Sequence, residues 1–208
     1  MIIRPYVIEV LGTPEAGKTT VIKDLILSLS KKEHIVQYIL SLSKKEYIVQ
    51  YVRESAEITP KQLSNGSVEA QIWMKLHTAQ EIFLATKSNV DIVLVDRGII
   101  DTLFWDYLYF KKGELSHTQL DANIKFFQEL NFLPNLAIIL TTTAEEAIAR
   151  RGGEGRIVTR KFIEDYNSSL LDFCKNISVS NVIYDTTNKE PKDVLLYIEH
   201  LIEQRCCI

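Results

Sequence analysis

Four short runs of apolar, largely β-branched residues punctuate the chain: Tyr6–Gly12 (YVIEVLG), Asp91–Asp96 (DIVLVD), Leu136–Thr141 (LAIILT) and Asn181–Thr186 (NVIYDT). They are apolar at successive rather than alternate positions, which suits strands buried on both faces. Between them the apolar positions recur at helical spacing. Helices are expected from Lys18 to about Leu29 and over Val68–Lys87, Ile100–Phe110, Thr118–Leu130, Thr143–Arg151 and Thr159–Ile177. A last helix should begin at Pro191, since proline suits a first turn. Strands alternating with helices imply parallel pairing and right-handed crossovers. The expected fold is α/β, a three-layer, doubly wound parallel sheet of about five strands that binds ligands at the carboxyl ends of its strands.

The fifth strand comes from a duplication. Ile26–Tyr38 (ILSLSKKEHIVQY) is followed at once by Ile39–Tyr51 (ILSLSKKEYIVQY), the two copies differing only at His34 and Tyr47. A shift of thirteen residues turns a helix face by roughly 220° and flips the faces of a strand, so the copies cannot do the same job within one element. Only the second IVQY runs straight into Val52, Arg53 and Glu54, and it should be the strand. The first copy is then an insertion within 26–51. A single helix from Lys18 to Lys45 would be about 42 Å long, and Ile35, Val36, Ile39 and Leu40 on it would need a partner, which suggests a homo-oligomer contact.

The 208 residues are enough for one sizeable core and few for two, and no linker-like stretch divides them, so a single domain over 1–208 is expected. A net charge of −3 provides no global positive field, which argues against nucleic acid and anionic membranes as partners. Cys174, Cys206 and Cys207 cannot build a disulfide framework, and the terminal RCCI has Arg205 where a prenylation box needs cysteine. With no apolar run of membrane-spanning length and no signal-like start, a reduced, cytoplasmic protein is the natural reading.

Chemistry enters directly after the first strand, where GTPEAGKTT comprises Gly12, Thr13, Pro14, Glu15, Ala16, Gly17, Lys18, Thr19 and Thr20. This is G-x-x-x-x-G-K-[ST] in the strand–loop–helix setting the motif requires. Its glycines let backbone N–H groups turn in around phosphate oxygens, and the helix adds its positive end. Lys18 would supply a point charge to the β- and γ-phosphates, and Thr19 would ligate Mg²⁺. The third strand in chain order, over Asp91–Asp96, then delivers Asp96 and Arg97 to the same sheet edge. Asp96 is the metal-side carboxylate, and Arg97 suggests a second group to be positioned, as a kinase acceptor would be.

Arg53 and Glu54 should emerge at that edge too. Glu54 could take a proton from an acceptor hydroxyl, and Arg53 could hold an acceptor phosphate or the leaving charge. Between the fifth and sixth helices, EEAIARRGGEGRIVTRKF gathers Arg150, Arg151, Arg156 and Arg160 around three glycines. Glycine-jointed arginines suit a lid at about 150–160 that closes on transferring phosphates, with Arg151 and Arg156 as the catalytic candidates and Arg150 and Arg160 equally readable as helix surface charges. Gln71, Trp73, His77, Gln80, Phe83, Trp105 and Tyr109 could stack on or pair with a nucleobase, although aromatics at this spacing also build cores. His34, His117 and His200 have no partner pattern and read as surface residues.

The phosphate loop, Arg53-Glu54 after the second strand, Asp96-Arg97 after the third and the Arg-rich segment before Asp165-Tyr166-Asn167 together resemble the thymidylate kinase and deoxynucleoside kinase group of P-loop kinases. They are also similar to P-loop ATPase/kinase domains of the nicotinamide-riboside-kinase type. The resemblance spans most of the chain in order. It implies that Arg53, Glu54 and Arg97 contact the acceptor, with Glu54 as base if the acceptor is a nucleoside hydroxyl. Ser55 stands where that group usually has Pro, Glu15 where it commonly has Gly, and Asp101 where a Ser is expected. Glu15 sets a negative charge beside the phosphates unless it turns outward or meets a lid arginine.

The expected function is a Mg²⁺-dependent ATP:small-molecule phosphotransferase acting on a nucleoside or nucleotide. The alternative is an ATP- or GTP-binding switch that hydrolyses slowly and acts through a protein partner. A switch needs neither an acceptor carboxylate nor an arginine lid, and TNKEP at Thr187–Pro191 has Pro191 where a guanine-specific Asn-Lys-x-Asp motif ends in Asp.

Overall fold

The computed structural model describes residues 5–30, 47–63, 67–155 and 158–205. β1 (Tyr6–Gly12) leads into α1 (Lys18–Ser30), and the next described elements are β2 (Val49–Val52) and a 3-10 turn at Ser55–Ile58. After α2 (Val68–Ala85) come β3 (Ile92–Asp96), α3 (Ile99–Lys111) and α4 (His117–Glu129). The chain closes with β4 (Leu136–Thr141), α5 (Ala144–Arg151), α6 (Arg160–Asn176), β5 (Asn181–Asp185) and α7 (Pro191–Arg205). All five strands are parallel, in the order β2-β3-β1-β4-β5. The second IVQY does supply β2, with Val49 beside Ile92 and Val52 beside Val95. Most of the first copy and its proposed oligomer contact lie outside the described residues, as do His34, Arg156, Cys206 and Cys207.

Strand periodicity explains why the runs are apolar throughout. Val7 and Leu11 of β1, Val93 and Val95 of β3 and Ala137 and Ile139 of β4 face α2, α3, α4 and α6. Ile8, Val10, Ile92, Leu94, Ile138 and Leu140 face α1 and α7. Each central strand therefore buries both sides, which gives the three layers. Helix starts follow local chemistry: Ser67, Ser116, Thr143 and Thr159 each accept a bond from a first-turn amide, and Ser116 forms a reciprocal box with Gln119. No described helix is long and apolar enough to cross a membrane.

One glycine is dictated by the sheet itself. Gly12 has φ +133°, and a Cβ there would come 2.0 Å from the Leu140 carbonyl oxygen on β4. Gly12→Ala must bend either β4 or the turn leaving β1, and is expected to cost about 3 kcal/mol, or roughly 6–12 °C in thermal midpoint, read by thermal unfolding.

Candidate active site

The loop between β1 and α1 is held from three sides. Tyr166 on α6, buried beneath it, donates its hydroxyl to the Gly12 carbonyl at 3.2 Å. Thr13 donates to Asn167 Oδ1 at 2.5 Å, and Asn167 Nδ2 donates to the Thr142 carbonyl at 2.8 Å. Arg150, equally readable from sequence as a surface charge, is instead a strut: NH1 donates to the Glu15 carbonyl (3.2 Å) and NH2 to the Thr186 carbonyl (2.7 Å). It thereby ties the loop after β5 to the phosphate loop. Glu15 has φ +61° and turns its carboxylate to within 3.7 Å of Arg151 Nη1, an ion pair that offsets its charge.

Lys18 is buried and donates Nζ to the Thr13 carbonyl at 2.6 Å. Burial, reinforced by Arg97 nearby, brings its ammonium down to about 7. At the end of β3, Asp96 is also buried. Its Oδ2 lies 3.4 Å from the Tyr51 hydroxyl, whereas its Oδ1 has no hydrogen-bond partner. Burial raises the Asp96 carboxyl above its ordinary value, against the pull of Arg97 and Lys18. The unpartnered Asp96 oxygen and the exposed Thr19 at the start of α1 are donors of the kind that Mg²⁺ takes, one or two protein oxygens with the shell completed by water and phosphate. No cluster of three His, Cys, Asp or Glu side chains able to hold a metal occurs among the described residues.

Arg97 sits in the left-handed region at φ +52°, a conformation that costs a non-glycine residue free energy and aims its side chain across the site. Its Nε is 3.2 Å from Glu54 Oε1, an ion pair by distance although the N–H is not aligned as a hydrogen bond. NH1 lies 3.3 Å from Asp101 Oδ1. Burial opposes the Arg97 charge, but Asp101 and the neighbouring groups overcome it and hold the guanidinium above its ordinary value. Glu54, half-buried, is raised by burial, with Arg97 pulling the other way.

Beneath this pair is a residue to which the sequence reading gave no role. Glu9, in the middle of β1, accepts from the amides of Gly98 (2.9 Å), Ile100 (2.9 Å) and Asp101 (2.8 Å). It closes the open N-terminus of α3 from inside the core, where the helix end favours a negative charge. Burial pushes its carboxyl up to about 8, while the three amides work to lower it. The approach is so close that a Cβ on Gly98 would meet Glu9 Oε2 at 2.7 Å. A glutamate interrupting YVIEVLG was the available signal.

Glu54, Arg97 and Asp101 form part of the wall of a cavity of about 450 Å³ between α2, α3 and the start of α6. Of the base-recognition candidates, Gln71, Trp105 and Tyr109 line it. Trp73 and His77 stack on each other at 4.7 Å and Gln80 and Phe83 are exposed, all outside that wall. Ser55, in place of the expected proline, lies on the wall and bonds Thr78 Oγ1 (2.7 Å) and His77 Nδ1 (3.1 Å), pinning the turn that follows Glu54 to α2. Arg151 reaches the cavity, whereas Arg53 is exposed and not on its wall. Arg160 pairs with Glu145 and Glu164 on the surface.

A five-stranded parallel sheet with this loop at β1 and the charged pairs at β2 and β3 defines the P-loop nucleoside-kinase fold. The chain belongs to a family described as an AAA domain, which matches residues 7–186. Its fold is similar to that of thymidylate kinase from Candida albicans, with TM-score 0.63 and 16% identity over 97% of this chain and 92% of that one. It is similar also to deoxyadenosine kinase from M. mycoides, solved with dCMP and dCDP, at TM-score 0.65 and 18% identity over 95% and 99% of the two chains. No curated protein matches the sequence.

Proposed function

We propose that the protein is a kinase that transfers the γ-phosphoryl group of ATP to a hydroxyl or phosphate of a nucleoside or nucleotide. The observation that carries this reading is the continuity of two half-sites: a phosphate loop with Lys18 and Asp96, and beside it a cavity walled by Glu54 and Arg97. A nucleotide switch has no use for the second.

In this reading the loop amides and Lys18 Nζ grip the donor phosphates, Lys18 exchanging its bond to Thr13 for phosphate oxygens. Thr19 and Asp96 would hold Mg²⁺, which when bound neutralises charge on the β- and γ-phosphates. Arg97 orients the acceptor and steadies Glu54. As the acceptor oxygen bonds to γ-phosphorus and the bond from phosphorus to the ADP oxygen breaks, Glu54 takes the proton of an acceptor hydroxyl. A carboxylate raised above its ordinary value is a stronger base for that step. Arg151, with Arg156, would shield the transferring charge from water.

ADP release measured with ATP, Mg²⁺ and a panel of nucleosides and nucleoside monophosphates is expected to rise at least tenfold over acceptor-free hydrolysis for some member of the panel, a barrier difference of about 1.4 kcal/mol. Tight ATP binding with no acceptor-stimulated release would overturn the kinase reading in favour of the switch.

A further inference from the structure

The charge on the cavity wall chooses between the two acceptor classes. Among the described residues the wall carries two cations, Arg97 and Arg151, and three carboxylates, Glu15, Glu54 and Asp101. Both cations are engaged. Arg97 lies between Glu54 (3.2 Å) and Asp101 (3.3 Å), and Arg151 faces Glu15 at 3.7 Å. Of the other cations near the wall among the described residues, Lys75 donates to both oxygens of Asp106, at 2.6 and 2.7 Å, Lys18 donates to the Thr13 carbonyl at 2.6 Å, and Arg53 is exposed and off the wall.

A monophosphate dianion seated here would have to take Arg97 from its carboxylates, leaving Glu54 and Asp101 half-buried or buried beside a new negative charge. Buried charges stripped of their counter-ions are strongly unfavourable. The rest of the wall asks for no charge: Trp105, Tyr109 and Phe162 offer flat apolar faces, and Gln71, Thr59 and Thr78 offer neutral hydrogen bonds.

We infer that the acceptor is an uncharged nucleoside, phosphorylated on a hydroxyl, and that Asp101 is the residue that excludes nucleoside monophosphates by occupying Arg97. The inference rests on the kinase reading above and narrows it. The transfer balances as written there: the hydroxyl oxygen gains the phosphoryl group, ADP departs, and the proton passes to Glu54. Asp101 is held for this task from behind, since its own amide donates to Glu9 at 2.8 Å at the head of α3. It works by repulsion and by sequestering a cation, the way a site discriminates against a competitor that is otherwise the same molecule.

The test compares kcat/KM of the full-length protein for ribo- and deoxyribonucleosides with that for their 5′-monophosphates, by ADP release. The best nucleoside is expected to exceed its monophosphate by at least about 100-fold, and Asp101→Asn, which frees Arg97, to shrink that ratio about tenfold or more. A monophosphate used as well as or better than its nucleoside overturns the inference and leaves the kinase reading standing. Failure of both classes to raise ADP release above a Lys18→Ala blank removes the kinase reading and this inference with it. A ratio unmoved in an Asp101→Asn protein that melts cooperatively overturns the assignment to Asp101. Should that variant not fold, the wild-type comparison alone still decides the acceptor class.

Discussion

Glu54→Gln lowers kcat by about 10²- to 10⁴-fold, the range that a positioned general base contributes, while nucleotide affinity stays near wild type. The substitution keeps the shape of the side chain and its place beside Arg97 but removes the capacity to take a proton. The pH profile separates loss of a base from loss of shape. Burial raises Glu54 above its ordinary carboxylate value, so the ionised, active form is lost as pH falls through a point above that value. Wild-type kcat/KM should therefore rise with pH through an acid limb lying above the ordinary glutamate value, and Glu54→Gln should be flat across that limb. A variant that retains both its rate and the limb would remove Glu54 from the chemistry. Stopped-time ADP release between about pH 4.5 and 8, the window in which carboxylates and the loop lysine titrate, makes the measurement.

Lys18→Ala is the second large effect: turnover should fall by about 10²- to 10³-fold, as when one preorganised donor to developing charge is removed. In the free protein burial brings Lys18 down to about 7 and Nζ is spent on the Thr13 carbonyl. Bound phosphates reverse the first effect, because a nearby negative charge favours the ammonium, and replace the second. Alanine leaves the phosphates without that charge and the Thr13 carbonyl without its donor, so ATP affinity falls along with the rate. Lys18→Arg restores little, since a planar guanidinium does not occupy the space of a compact ammonium in a closed loop. Calorimetric ATP titration beside the ADP-release assay measures both, and undiminished turnover in Lys18→Ala would contradict the assigned role.

Much of the frame was legible because its signals are local. Continuous apolar runs mark β1, β3 and β4 because both faces of each central strand are covered, whereas β5, read from the same kind of run, is an edge strand with Ile183 exposed. The second IVQY could be placed as β2 because only it leads into Arg53-Glu54. The phosphate loop is contiguous, so its motif carries its own geometry. The contacts that steady it are another matter. Tyr166 with Gly12, Asn167 with Thr13 and Arg150 with Thr186 join residues as far as 154 positions apart, and no spacing rule reaches that distance. The same limit hid which residues of α2 face the cavity. Gln71 does and Trp73 does not, a choice made by how α2 packs against the sheet, since both lie on one short stretch of the same helix. Arg53 and Glu54 are neighbours in sequence yet part company, because successive residues leaving a strand point to opposite sides.

Glu9 gives the site a fixed ruler. The strand that ends in the phosphate loop and the helix that opens with Asp101 are fastened to each other by one carboxylate and three amides deep in the core. On the kinase reading, the gap between a donor phosphorus on one and an acceptor oxygen on the other is therefore set before either molecule arrives. The turn behind Glu54 is tied down as well, through Ser55 to Thr78 and His77, so donor and acceptor would have to fit a span that the core holds for them.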